Sequence, residues 1–306
     1  MNPVEKYLIV IGGATASGKT GLAIALAQHF KTAIVSADSR QIYQELNVGT
    51  AKPTDHELDS AKHYLVGHIS IQDDYNVGRF EQEALAALNE IFLKQNVAIL
   101  VGGTGLYIRA VCEGLDEYPT IDPQIRLDLE QLFATEGIIP LQNELKINDL
   151  NYYEKVDLNN PHRLIRALEI CRGTGQPFSS FQNKQKVSRP FKPIYILTDW
   201  NRIILYERIH QRVDRMMANG LLQEAKQFEP FRHLNALQTV GYQEFMDYFD
   251  GACDLKTAVE KVKQHTRNYA KRQETWFRKE ARWQRFHPSK IQEIIDFCKH
   301  IGTWET

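Results

Sequence analysis

Cysteine is scarce in this 306-residue chain, and Cys112, Cys171, Cys253 and Cys298 stand far apart with no C-x-x-C pair. That spacing argues against a zinc site and a disulfide framework, and it fits a reducing cytoplasm. No run of about 18 apolar residues occurs, so no membrane-spanning helix is expected. Met1-Asn2-Pro3-Val4-Glu5-Lys6 leads straight into an apolar strand, leaving no room for a signal or transit peptide. Repeats and low-complexity tracts are missing too. Net charge is only −1, but it is unevenly spread. Between Lys261 and Arg285 nine Lys/Arg stand against Glu274 and Glu280 alone. Such a run is a solvated helix face or a seat for a polyanion, with nucleic acid the obvious candidate.

What is present begins with a strand, Tyr7–Ile11, that runs into Gly13-Ala14-Thr15-Ala16-Ser17-Gly18-Lys19-Thr20 and then a helical Gly21–Ala27. This is the phosphate-binding loop G-x-x-x-x-G-K-[ST] of nucleotide-binding proteins, ATP among its usual ligands, in the strand-to-helix setting it requires. Its backbone N–H groups cradle phosphate oxygens at a helix N-terminus. Lys19 adds a positive charge, and Thr20 offers a hydroxyl to Mg²⁺. Further apolar runs, Thr32–Ser36, Tyr64–Val66, Val97–Val101 and Pro193–Thr198, are separated by helical stretches such as Val77–Lys94. The pattern predicts an α/β fold with a doubly wound parallel sheet of the P-loop type.

From about residue 115 to 189 the strand signal fades. Pro123–Phe133, Ile139–Ile147 and Pro161–Arg172 read as helices, the last with Asn160 as cap, Pro161 in the first turn, and Gly173 and Gly175 closing it. The expected organisation is therefore a core of residues 1–114 and 190–306 with a helical insertion at 115–189. Beyond the Pro193–Thr198 strand the chain reads as helical. Tyr269, Trp276 and Trp283 fall seven apart and are expected to pack as one stripe of a long helix.

Nucleotide hydrolases commonly hold Mg²⁺ with an acid at a strand end. Val97–Val101 ends instead in Gly102-Gly103-Thr104, which argues against an ordinary ATPase. The nearest carboxylate in a loop position is Asp38. A helix cap is one reading of it; a metal ligand or general base facing the phosphate loop is the other. Ligands of such sheets bind beyond the carboxyl ends of the strands, where Asp38 and Thr104 should both lie.

Several further segments accumulate in order: Asp38-Ser39-Arg40-Gln41-Ile42-Tyr43, Gly49-Thr50-Ala51-Lys52-Pro53, Val101-Gly102-Gly103-Thr104-Gly105-Leu106-Tyr107, Pro161–Glu169, Val240-Gly241-Tyr242 and Thr266–Arg278. Together with Gly13–Thr20 they resemble the bacterial tRNA dimethylallyltransferases, the tRNA isopentenyltransferases, over residues 8–285. Two departures stand out, Ala14 where proline is usual and Gln243 where a basic residue is frequent. The resemblance implies transfer of a dimethylallyl group from dimethylallyl diphosphate to the N6 amine of an adenosine beside the anticodon of tRNA. The loop would then hold a leaving diphosphate with Mg²⁺ rather than an ATP being split.

The resemblance further implies residue roles. Asp38 would accept or orient the amine proton, Lys19 and Arg212 would stabilise the diphosphate, and Thr104 would meet the adenosine. RNA contacts are expected from Asp38, Ser39, Arg40, Gln41 and Thr104. In the insertion they are expected from Arg126, His162, Arg163, Leu164, Ile165 and Arg166, and in the basic segment from Lys271 and Arg272. A monomer is expected. Competing readings are an adenylate isopentenyltransferase acting on a free nucleotide, a P-loop small-molecule kinase, and a non-catalytic RNA-binding module.

Overall fold

The structure, a computed structural model, describes residues 5–182 and 187–302. Met1–Val4, in the expected leaderless start, lie outside the described residues. Six strands, β1 (Tyr7–Gly12), β2 (Ile34–Ser36), β3 (His63–Tyr64), β4 (Val97–Gly102), β5 (Lys192–Thr198) and β6 (Gln284–Phe286), form one sheet in the order β3-β2-β4-β1-β5-β6. Every pairing is parallel. Between them run α1 (Lys19–His29), α2 (Asp55–Ser60), α3 (Val77–Phe92), α4 (Gly105–Glu113), α5 (Pro123–Glu136), α6 (Ile139–Asn148), α7 (Leu150–Tyr153) and α8 (Pro161–Thr174). After β5 come α9 (Arg202–Ala218), α10 (Leu221–Gln227), α11 (Gln243–Phe249) and α12 (Leu255–Arg278); α13 (Ile291–Ile301) follows β6.

The central strands are apolar throughout because both faces are covered. Side chains alternate across the pleat. Leu8 and Val10 therefore join Phe80, Leu88, Ile108 and Phe277 on one side, while Ile9 and Ile11 join Leu22, Leu26, Ile294 and Ile295 on the other. The register sets Gly12 beside Gly102 and Leu197, and Ser36 beside Val101. The segments leaving β1, β2, β4 and β5 therefore start at one edge. A third core, with Val213, Leu221, Tyr242, Phe245 and Val262 packed on Ile42, Leu46 and Ile69, fastens helices α9 to α12 onto the loop that follows β2.

The chain divides into two compact units, Met1–Glu113 with Ser188–Thr306, and Gly114–Val187. The second is helical, and its core holds Leu129, Leu141, Leu145, Leu164, Leu168 and Phe178. Asn160 caps α8 by accepting Arg163 N at 3.2 Å, and Gly175 ends it in the left-handed conformation.

Two expectations about the C-terminal region need correction. It is not wholly helical, since Gln284–Phe286 adds β6 to the sheet beside β5. A three-residue strand is too short to show a period in sequence. Nor is there one aromatic stripe: α12 ends at Arg278, so Trp283 packs from the segment beyond it, and Tyr269 lines a cleft.

Candidate active site

The cleft, about 1200 Å³, opens at the carboxyl edge of the sheet and is lined by Thr15–Thr20, Asp38–Gln41, Arg212, Tyr269 and Arg272 among others. The phosphate loop forms its floor. Gly13 is required because a Cβ there would collide with Thr198 Oγ1 at the end of β5. Ser17 Oγ shares a buried 2.6 Å hydrogen bond with that same hydroxyl. Trp200 Nε1 donates to Ser17 O and Arg208 Nε to Ala16 O, each at 2.8 Å. From α12, Gln273 bridges two loops: its Oε1 accepts Thr15 N at 2.8 Å and its Nε2 donates to Gly103 O at 3.0 Å. Ala14 faces away from the cleft into a small cluster with Leu205, Ile209 and Ala270.

Lys19 curls into the loop and donates to Ala14 O at 2.6 Å. Burial pushes its ammonium down to about 8, against the opposing pull of Asp38 and with a push from Arg212. Arg212, from α9, is likewise held below its ordinary value by burial while Asp38 supports its charge. Among the described residues neither cation has a carboxylate within ion-pair distance. A guanidinium stays ionised even so. The cleft thus holds two half-buried positive charges, both acted on by the Asp38 carboxylate without contact.

Asp38 is half-buried, and Arg40 N donates to its Oδ1 at 2.9 Å, which fixes the carboxylate plane. Ser39 N donates to Thr104 Oγ1 at 3.1 Å, and that hydroxyl reaches Ser39 Oγ at 3.3 Å. Thr104 therefore ties the end of β4 to the end of β2 rather than lining the cleft wall itself. The Tyr269 hydroxyl meets Thr104, and burial beside Asp38 raises it to about 12, so it stays protonated. Arg40 Nη1 donates to Asn235 O at 2.8 Å.

The basic segment is neutralised in part where it stands. Lys261 pairs with Asp247 at 2.9 Å, Lys263 with Asp214 at 2.9 Å and Arg285 with Asp199 at 3.1 Å. Arg282 pairs with Glu113 and Glu280, and Arg267 with His210. Lys271, Arg272, Arg278 and Lys279 carry no ion pair among the described residues. Of these Arg272 lines the cleft and Lys271 does not. The run is thus divided between cations held in structural pairs and cations without an acid partner among the described residues.

In the insertion, Leu164 and Ile165 are 0% and 3% exposed in its core. Helical periodicity turns them inward, so their side chains pack instead of meeting RNA, contrary to expectation. His162 and Arg163 are exposed. Arg126 and Arg166 converge on Glu169, at 3.6 and 3.0 Å, and Arg126 also holds Glu130 at 2.8 Å.

Gln273, Thr198, Trp200 and Tyr269 are functional-site residues that sequence reasoning missed. Gln273 and Tyr269 lie inside the Thr266–Arg278 signature, whose polar members were the available signal. As for metal, no cluster of three His, Cys, Asp or Glu side chains among the described residues could hold one. Thr20 and Asp38 both face the cleft. That donor set suits Mg²⁺, which keeps several waters and is held chiefly by substrate phosphates.

A parallel sheet with a glycine-rich loop before its first helix, and half-buried cations in and beside that loop, defines a P-loop-type phosphate-binding protein. The family model "IPP transferase" matches residues 41–280, and the chain belongs to that family. It is 51% identical to a tRNA dimethylallyltransferase of Christiangramia forsetii, over 97% of this chain and 98% of that protein. It is 47% identical to the Cytophaga hutchinsonii enzyme of the same name, over 98% of each. Among solved structures, the tRNA isopentenylpyrophosphate transferase of Bacillus halodurans superposes with a TM-score of 0.72 at 34% identity, covering 97% of this chain and 96% of that one. A eukaryotic dimethylallyltransferase acting on tRNA gives 0.75 at 30% identity, over 89% and 70%.

Proposed function

We propose that this protein transfers the dimethylallyl group of dimethylallyl diphosphate to the N6 amine of the adenosine 3′-adjacent to the anticodon in tRNA, releasing diphosphate. The observation that carries the reading is a single cleft in which Asp38 faces Lys19 and Arg212 without neutralising either by contact. Alkyl transfer from a diphosphate needs a base on one side and cations for the leaving group on the other. The names of the relatives support tRNA as acceptor.

The amine nitrogen attacks the allylic carbon as the carbon–oxygen bond to diphosphate breaks, and the proton lost from nitrogen passes to Asp38. Arg40 N donates to Oδ1 and holds the carboxylate in place for that transfer. The negative charge growing on the diphosphate is met by loop N–H groups, Lys19 and Arg212, each well-placed group supplying roughly 3 kcal/mol. The Thr20 hydroxyl would help hold Mg²⁺, which would supply further positive charge for the diphosphate. An adenine amine is a poor nucleophile, so holding it in line matters as much as basicity. The base must leave its stack to enter the cleft, where Ser39, Arg40, Gln41 and Arg272 of the lining would receive it, with Thr104 holding Ser39 from behind. His162, Arg163 and the paired Arg126 and Arg166 serve the RNA backbone.

A monomer is the acting unit in this reading. The cysteines are all free thiols, which supports a cytoplasmic site of action. No helix among the described residues is long and apolar enough to cross a membrane. The deciding experiment is mass spectrometry of tRNA incubated with the protein and dimethylallyl diphosphate, with and without ATP, and with AMP as competing acceptor. A prenylated anticodon fragment without ATP is expected. Transfer to AMP alone would assign the chain to nucleotide prenylation, and ATP consumption without transfer would make it a kinase.

A further inference from the structure

Two of the sequence signatures, Gly49–Pro53 and Val240–Tyr242, have no part in the chemistry above, yet one side chain joins them. Glu224, on α10, receives four hydrogen bonds. Its Oε2 accepts Asn47 N and Val48 N, both at 2.9 Å; its Oε1 accepts Gly49 N at 2.8 Å and the Tyr242 hydroxyl at 2.6 Å. Four donors fill the accepting capacity of one ionised carboxylate. Tyr242 is fully buried and packs flat on Gly49, where any Cβ would collide with its ring.

The constraint does not stop at that turn. The carbonyls of Thr50 and Ala51 accept Gln41 Nε2 at 3.3 and 2.9 Å. Both partners are acceptors, so the carboxamide must turn its nitrogen to them and its oxygen away. Among the described residues no group donates to that oxygen. Gln41, Thr50 and Ala51 line the cleft that also holds Asp38.

We propose that Glu224 is a positioning residue: through the Asn47–Ala51 turn it fixes the Gln41 carboxamide so that Oε1 stands as an acceptor for an N–H donor of an RNA base in the cleft. The inference rests on the tRNA reading above. It assigns Glu224 no contact with substrate. A glutamine at 224 would set an NH₂ group against N–H donors, so it should fail as alanine does.

The test is steady-state prenyl transfer to an anticodon stem-loop RNA, with KM for RNA and KM for dimethylallyl diphosphate read separately. Glu224→Ala and Glu224→Gln are each expected to raise KM for RNA at least about tenfold, with KM for the diphosphate substrate unchanged. In the double variant Glu224→Ala/Gln41→Ala, KM for RNA should match that of Gln41→Ala alone, because Glu224 acts through Gln41. Should Glu224→Ala fail to fold, as thermal unfolding would reveal, Tyr242→Phe removes one donor only. It is expected to raise KM for RNA about threefold and to lose that effect in the Gln41→Ala background. Additive effects, or a glutamine variant that behaves as the native chain, would overturn the inference while the reaction stands. A native chain inactive on RNA would overturn the underlying reading and this inference with it.

Discussion

The insertion and the cleft of the sheet unit offer their positive charges different partners. In the insertion, Arg126 is matched with Glu130 and Glu169, Arg166 with Glu169, and Arg172 with Glu144 in a two-pronged pair at 2.6 and 2.7 Å, while Arg163 stands exposed. In the cleft of the sheet unit Lys19 and Arg212 are half-buried with no acid in contact among the described residues, and desolvation pushes both below their ordinary pKa values. Burying a charge without a partner is unfavourable, and the folded state tolerates it where a ligand supplies the counter-charge. The contrast marks an anion site in one unit and mainly structural pairs in the other.

The contrast breaks most visibly at Asp38. Replacing it with alanine is expected to lower turnover at least about a hundredfold, the span of a positioned base, while tRNA binding measured by filter retention survives. Near-native turnover would remove the base assignment. Lys19→Ala should lower kcat/KM for dimethylallyl diphosphate by roughly a hundredfold, for about 3 kcal/mol of leaving-group stabilisation. Kinetics unchanged from the native chain would mean that the loop holds another ligand.

The charge state of Lys19 sharpens the comparison further. With its ammonium near 8 in the free protein, an anion bound beside it raises that value again. Binding therefore takes up protons, and affinity for dimethylallyl diphosphate falls as pH climbs above 8, by up to about tenfold per unit. Calorimetry in buffers of different ionisation enthalpy, without tRNA, reads this directly, and proton release would contradict it. The smallest effects belong to the insertion. Arg163→Ala should weaken tRNA binding a few-fold and reduce the salt slope by about one with an unchanged melting temperature. Arg166→Ala should also lower the melting temperature, since Glu169, 8% exposed, loses its nearer partner. An unchanged salt slope in both would move the RNA contact elsewhere.

Much of this was legible in the chain itself. Gly13–Thr20 between a strand and a helix announced the phosphate loop, because a nest of N–H groups is built from consecutive residues. Asn160 and Pro161 announced the start of α8 for the same reason. Asp38 was half legible: its loop position suggested the cleft, but not which cations it faces. Tyr269 was assigned to packing because seven-residue spacing assumed one continuous helix to Trp283, and α12 stops at Arg278. Gln273 and Glu224 were invisible as organisers, for their partners at Thr15 and at Asn47–Gly49 lie 258 and 175–177 positions away.

By itself, then, the sequence determined the parallel sheet, the phosphate loop and the helical insertion, since these follow from local periodicity, caps and backbone chemistry. Only the tertiary structure decided which of its many charges remain free. The Lys261–Arg285 run shows why: Lys261, Lys263, Arg282 and Arg285 pair with Asp247, Asp214, Glu113, Glu280 and Asp199, whereas Lys271, Arg272, Arg278 and Lys279 from the same run, like Lys19 and Arg212 in the cleft, have no acid within ion-pair distance among the described residues. Neutralisation depends on distance in space, and no spacing along the chain encodes that distance.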